Sequence, residues 1–189
     1  MNKILLKYDK IFIDTSTFLI NMDNIFNSNQ YINKFTNEKS DHHVQKQLFI
    51  ESLIPFLNDN KKKINIPYEV INEIKSSEKS LEPKLNNRAS NALKILKVLK
   101  DNKCLDIYRG ENYPFTDNIF ITVLFRYMTK YNMCLITQDR NLADDVSSIK
   151  EFRSITTPKM ISAYIVGFKS NGDIHLFKNK KRLVPNRLI

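Results

Sequence analysis

Two apolar runs in this chain end in aspartate, and they constrain the fold more than any other feature. The first covers residues 8–13 and closes with Ile11-Phe12-Ile13 immediately before Asp14. The second is Met133-Cys134-Leu135-Ile136-Thr137, followed by Gln138-Asp139-Arg140. Short runs that alternate or are continuously apolar read as buried strands. Segments with helical spacing lie between them, and strands alternating with helices argue for a parallel sheet with crossover connections. The expected fold is therefore α/β, a central and mostly parallel sheet flanked by helices. Weakly alternating stretches over 163–168 and 174–177 flank Ser170-Asn171-Gly172-Asp173, which adds a C-terminal hairpin. In open sheets of this kind ligands bind beyond the carboxyl ends of the strands. Asp14 and Asp139 stand at that position. A carboxylate held there needs a partner, because burying a lone charge is costly. A metal ion is one solution. The other is helix capping by Asp14, with a helix starting near Thr15 to Thr17.

The intervening segments supply further acids. A helix from Ser40 or Asp41 to about Asn58 carries Val44, Leu48, Leu53, Ile54 and Leu57 on one face. Ile64-Asn65-Ile66-Pro67 is a brief extended piece, and Pro67 suits the start of a helix running to Lys75. In that helix Glu73 lies beside Ile74 and three residues after Val70, close to the buried stripe. A loop over 76–83 leads to a helix over 84–101, a short strand over 103–108, and a helix over 118–131 capped by Thr116 or Asp117. A last helix covers 141–149. Asp14, Glu73, Asp117 and Asp139 can thus converge at one sheet edge. Four carboxylates in one pocket repel one another and raise each other's pKa. Divalent cations resolve that conflict, and oxygen-only ligands favour Mg²⁺ or Mn²⁺ over zinc. Two such ions about 3.5–4 Å apart suit phosphodiester hydrolysis.

Composition narrows the partner. The formal net charge of +10 points to a polyanion, with nucleic acid ahead of a membrane surface. Candidate RNA contacts are Lys61, Lys62 and Lys63, Arg140 beside Asp139, and Lys180, Lys181 and Arg182 near the C-terminus. With only three glycines a glycine-rich phosphate cradle is excluded. No apolar run approaches the ~20 residues of a membrane span, and the first residues lack the pattern of a signal peptide. Cys104 and Cys134 sit in strand-like runs without zinc-site spacing, which fits buried thiols in the cytoplasm.

At this point the chain resembles the PIN-domain nucleases, which include toxin ribonucleases of the VapBC type and RNA-processing factors. The matching segments are Ile11-Phe12-Ile13-Asp14-Thr15-Ser16, Ile66-Pro67-Tyr68-Glu69-Val70-Ile71-Asn72-Glu73-Ile74, Thr116-Asp117-Asn118-Ile119 and Leu135-Ile136-Thr137-Gln138-Asp139-Arg140-Asn141-Leu142. They occur in the family's order over roughly residues 10–149. The resemblance implies a PIN-like nuclease domain over 1–150 and a C-terminal extension over 151–189 packed on the same domain. It implies a metal-dependent endoribonuclease in which Asp14, Glu73, Asp117 and Asp139 are the catalytic, metal-holding acids. Thr15, Ser16 and Thr137 match the hydroxyl positions that orient those acids, and Asp144 is an auxiliary acid. It also implies an antitoxin protein as partner and a homodimer. Two departures stand out: the stretch over 23–63 is longer than compact toxins have, and the chain extends well beyond residue 149.

Three other readings compete. A phosphatase of the haloacid dehalogenase type needs a second Asp two residues after the first, where this chain has Ser16. A response-regulator receiver needs a late strand-end lysine, and none is clearly placed. A PIN-like module that binds RNA or protein without cutting is the remaining alternative.

Overall fold

The computed structural model describes residues 2–19, 53–109, 116–149, 159–168 and 174–180. Most of the helix expected to start near Ser40, the Asn171-Gly172 turn, Lys181 and Arg182 fall outside these residues. In chain order the described elements are α1 (Asn2–Leu5), β1 (Lys10–Ile13), α2 (Thr15–Phe18), a helical stretch α3 over 53–59 and β2 (Ile64–Pro67). There follow α4 (Tyr68–Glu78), α5 (Pro83–Asp101), β3 (Leu105–Tyr108), α6 (Thr116–Tyr127), β4 (Met133–Ile136), α7 (Arg140–Ser148), β5 (Ile161–Phe168) and β6 (Ile174–Lys178).

The six strands form one sheet in the order β3-β2-β1-β4-β5-β6. All pairings are parallel except β5 with β6, which is antiparallel. This is the expected α/β fold with its C-terminal hairpin. β2 and β4 are buried along their whole length, as the apolar runs in the sequence require of strands covered on both faces. Asn65 is the polar exception in β2. Its side chain donates to the carbonyls of Ile11 (3.3 Å) and Lys63 (3.1 Å), which satisfies it inside the sheet. The core gathers Phe12, Phe18, Leu57, Ile74, Leu99, Phe120 and Leu124 against the strands. Phe12 meets Tyr108 and Phe120 edge-on, at centroid distances of 6.2 and 6.3 Å.

Element boundaries differ most from the expected ones at the C-termini of two helices. α4 runs on through Ser76, Ser77 and Glu78, residues expected to be a loop. α6 stops at Tyr127 and a turn follows, although the apolar pattern continues to Tyr131. No helix among the described residues is long and apolar enough to cross a membrane.

Two consequences position the site. The chain leaves β1 toward β2 and β3 on one side, then returns to β4 and β5 on the other. The topological switch therefore lies between β1 and β4, where open sheets form their ligand crevice. The register pairs Ile13 with Ile136. Asp14 N donates to Ile136 O at 3.0 Å and Thr137 N donates to Tyr164 O at 3.0 Å, so the ladder continues one residue past the strand ends. Asp14 and Thr137 are thereby set side by side at the crevice. Second, β4 pairs only with 161–164, and β5 continues over 165–168. At about 3.3 Å per residue, it projects roughly 13 Å beyond its neighbour at the same edge.

Candidate functional site

Asp14 is 4% exposed and caps α2. Its Oδ2 accepts from Ser16 N (3.2 Å), from the Ser16 hydroxyl, and from Thr137 Oγ1 (3.0 Å). The two hydroxyl oxygens lie 3.1 Å apart. Ser16 Oγ also accepts from Gln138 N at 2.9 Å, and Thr137 Oγ1 from Asp139 N at 2.9 Å. The two hydroxyls therefore bind the loop after β4 to the loop after β1 and fix the carboxylate between them. Burial pushes the Asp14 carboxyl up from its ordinary value, and the hydrogen bonds from Ser16 and Thr137 oppose that rise in part.

Asp139 caps α7, its Oδ1 accepting from Asn141 N (2.7 Å) and Leu142 N (3.2 Å). Capping and ligand binding are compatible here. An ionised carboxylate offers about four lone-pair sites, and each cap uses one oxygen.

Glu73 is solvent-exposed, as a helix acid usually is, yet its carboxylate is held at both oxygens. Thr15 Oγ1 donates to Oε2 and Thr116 Oγ1 donates to Oε1. Both threonines are buried, so α2 and α6 together steer a side chain projecting from α4. Asp117 follows Thr116 at the start of α6 and is exposed. Its carboxyl is nevertheless pushed up to about 6, first by desolvation and then by the charges of Asp14, Asp139, Glu73 and Asp145. That interaction draws the four sequence-predicted acids into one electrostatic group.

As they stand, no three His, Cys, Asp or Glu side chains among the described residues are gathered closely enough to hold a metal ion. The chemistry of the donor set is nonetheless that of a hard divalent cation: all-oxygen, with mutual repulsion that a cation relieves.

Asp144, the expected auxiliary acid, is bonded outside this group: its Oδ1 accepts from Asn179 Nδ2 at 2.8 Å, and that amide also donates to Ser147 Oγ at 3.3 Å. Asp144 ties α7 to the end of β6, whereas Asp145 is the acid that Asp117 feels. The buried residues of α7 are Leu142, Ala143, Val146 and Ser147, and the two aspartates lie on opposite flanks of that stripe. Thr116 is the other contributor that residue patterns did not single out for the site. A hydroxyl one residue before a helix-start acid is a weak signal, since capping explains it equally well.

The basic candidates separate. Lys61, Lys62 and Lys63 precede β2 and so lie at the opposite edge of the sheet from the acids. Lys62 is half-buried there, its Nζ donating to Tyr8 O, which is a structural contact. Arg140 and Lys180 instead line a groove between α7 and the β5–β6 hairpin, one residue away from Asp139. No family model matches the chain, and no curated protein matches it.

Proposed function

We propose that this chain is a metal-dependent endoribonuclease of the PIN type that hydrolyses RNA phosphodiester bonds at the crevice between β1 and β4. The observation that carries this reading is the gathering of acids at the carboxyl ends of β1 and β4, with Asp14 held by Ser16 and Thr137 and Glu73 held by Thr15 and Thr116. Desolvation first, and then the charges of Asp14, Asp139, Glu73 and Asp145, push the Asp117 carboxyl up. Such a group is unfavourable for the fold, and it stands where α/β sheets bind ligands. Asp14, Asp117 and Asp139 would hold Mg²⁺ or Mn²⁺ through carboxylate oxygens, with Glu73 beside them. The cation, once bound, would neutralise the acids, lower the pKa of an attacking water and stabilise the leaving oxygen.

The chain's own contribution is positional. Ser16 and Thr137 fix Asp14, while Thr15 and Thr116 fix Glu73, so the ligand groups are oriented by their neighbours. The hydroxyls of Ser16 and Thr137 direct their protons to a carboxylate, which leaves water as the nucleophile and predicts no covalent intermediate. Carboxylates alone repel a polyanion, so RNA has to be drawn in by positive charge elsewhere, and the net charge of +10 supplies it.

The test is cleavage of total RNA by the wild type and by Asp14→Asn, each with Mn²⁺ and with excess chelator. Cleavage is expected only from the wild type with metal. An Asn variant that cuts as fast, or a wild type indifferent to chelator, overturns the reading and leaves the acids as helix caps in a binding module.

A further inference from the structure

The groove beside the acids has a volume of about 380 Å³ and lies between α7 and the β5–β6 hairpin. Arg140, Lys178 and Lys180 bring positive charge to it, and Ile165 and Phe177 give it an apolar floor. Its one acid, Asp144, is tied to Asn179. Phe177 is 44% exposed, so part of its ring is open to solvent. Its ring lies against Gly167, where an added Cβ would come within 3.0 Å of Cε2. Any larger residue at 167 would displace the ring. His175 packs edge-on against it, with centroids 5.0 Å apart and planes at 76°. The hairpin wall exists because β5 outruns β4, which carries the groove to the same sheet edge as Asp14 and Asp139.

We infer that this groove is the track for a single-stranded RNA segment flanking the bond to be cut, with phosphates on Arg140, Lys178 and Lys180 and one base stacked on Phe177. The inference rests on the nuclease reading for which bond is cut, but not for the binding itself. The combination of charges that follow a backbone and an aromatic ring that takes a base is the general means of holding single strands. Size points the same way. A groove at the lower end of small-ligand volumes accommodates one nucleotide, not a duplex. Electrostatics supplies the need: five acids at the crevice repel phosphates, and this positive strip begins one residue after Asp139.

The experiment is fluorescence anisotropy of a labelled eight-nucleotide single-stranded RNA with the full chain, in chelator so that nothing is cut. Lys178→Glu with Lys180→Glu is compared with Lys61→Glu with Lys63→Glu, which changes the net charge equally at the opposite edge. The groove pair is expected to lose at least about thirty-fold in affinity and the opposite-edge pair less than about three-fold. Phe177→Leu, which keeps an apolar side chain but removes the stacking ring, is expected to lose about ten-fold for RNA, within the range of one base–aromatic stack. It should leave the affinity for inorganic polyphosphate, which has no bases, unchanged. Equal losses from the two charge pairs, unchanged RNA binding by Phe177→Leu, or duplex RNA bound as tightly as the single strand would each overturn the inference. Cleavage assays separate it from the reading on which it rests. A wild type that does not cut but whose groove variants lose RNA removes the nuclease and keeps the groove. A wild type that cuts and whose groove variants bind and cut normally does the reverse.

Discussion

At the amino end of the central strands, Asp9 and Asn132 clasp each other: Asp9 N donates to Asn132 O at 2.7 Å, and Asn132 N donates to Asp9 Oδ2 at 2.7 Å. Asn132 Oδ1 also accepts from Met160 N at 2.8 Å, and Lys62 Nζ donates to Tyr8 O. One acid and one base, each bonded to backbone, bind the starts of β1, β4 and β5 and the approach to β2. At the carboxyl end of the same strands Asp14, Asp139 and Glu73 are also hydrogen-bonded, but they are like-charged, and the Asp117 carboxyl beside them is pushed up first by desolvation and then by four other acids. Hydrogen bonding at the first edge closes the fold. At the second it holds carboxylates in an arrangement that their mutual repulsion opposes. Departures of that kind from a self-consistent fold are expected at functional sites.

The largest effect should come from Asp14→Asn. Asn caps helices as well as Asp does, and an amide oxygen can accept the donors from Ser16 and Thr137. The fold should survive with an equal or higher melting temperature, since a desolvated charge is removed, while RNA cleavage is abolished. A variant that unfolds, or that cuts normally, would break the contrast between the edges.

Thr137→Val comes next. It deletes a fully buried hydroxyl that donates to Asp14 and accepts from Asp139 N. Loss of an orienting neighbour of this kind typically lowers activity or metal affinity about 10–100-fold. The orphaned amide of Asp139 adds about 1–3 kcal/mol of destabilisation, measurable by urea unfolding. The matching change at the other edge, Asp9→Ala, removes one hydrogen bond and should cost about 1 kcal/mol with kcat unchanged. Were Asp9→Ala to lower cleavage as much as Thr137→Val, the division of labour between the edges would be refuted.

The sequence-level expectations held where an apolar run ended abruptly in charge. The strand ends before Asp14 and Asp139 were legible for that reason. Three features were not legible. Ser76-Ser77-Glu78 extend α4 although polar residues of this kind fit a loop equally well. Tyr131 continues the apolar pattern of α6, yet the helix ends at Tyr127. Asp144 and Asp145 differ by only one step of helical phase. The face that meets the acids depends on how α7 packs against β5, which no local pattern in the sequence specifies. Glu73 illustrates the converse: its position beside the buried stripe was readable, but the two threonines that hold it come from distant elements.

The smallest effect concerns pH. The Asp117 carboxyl lies at about 6 in the folded chain against 3.8 ordinarily. Between those values the folded state keeps a proton that the unfolded state has lost, so this group's contribution to stability declines as pH rises from about 4 to about 6. Asp117→Asn should therefore raise the melting temperature at pH 7.5, with the gain disappearing at pH 4. Exposure of Asp117 to solvent screens the effect and keeps it modest. A gain that persists unchanged at pH 4 would mean that repulsion among the acids is not its source.

The central claim is that the carboxyl edge is one cation-demanding site. Titration of the metal-free chain with Mn²⁺, followed by loss of the free-ion signal in electron paramagnetic resonance, tests it most directly. Saturable binding is predicted for the wild type and for Asp9→Ala, with affinity at least about ten-fold weaker in Asp14→Asn. Absence of saturable binding to the wild type, or equal binding by wild type and Asp14→Asn, would contradict the account.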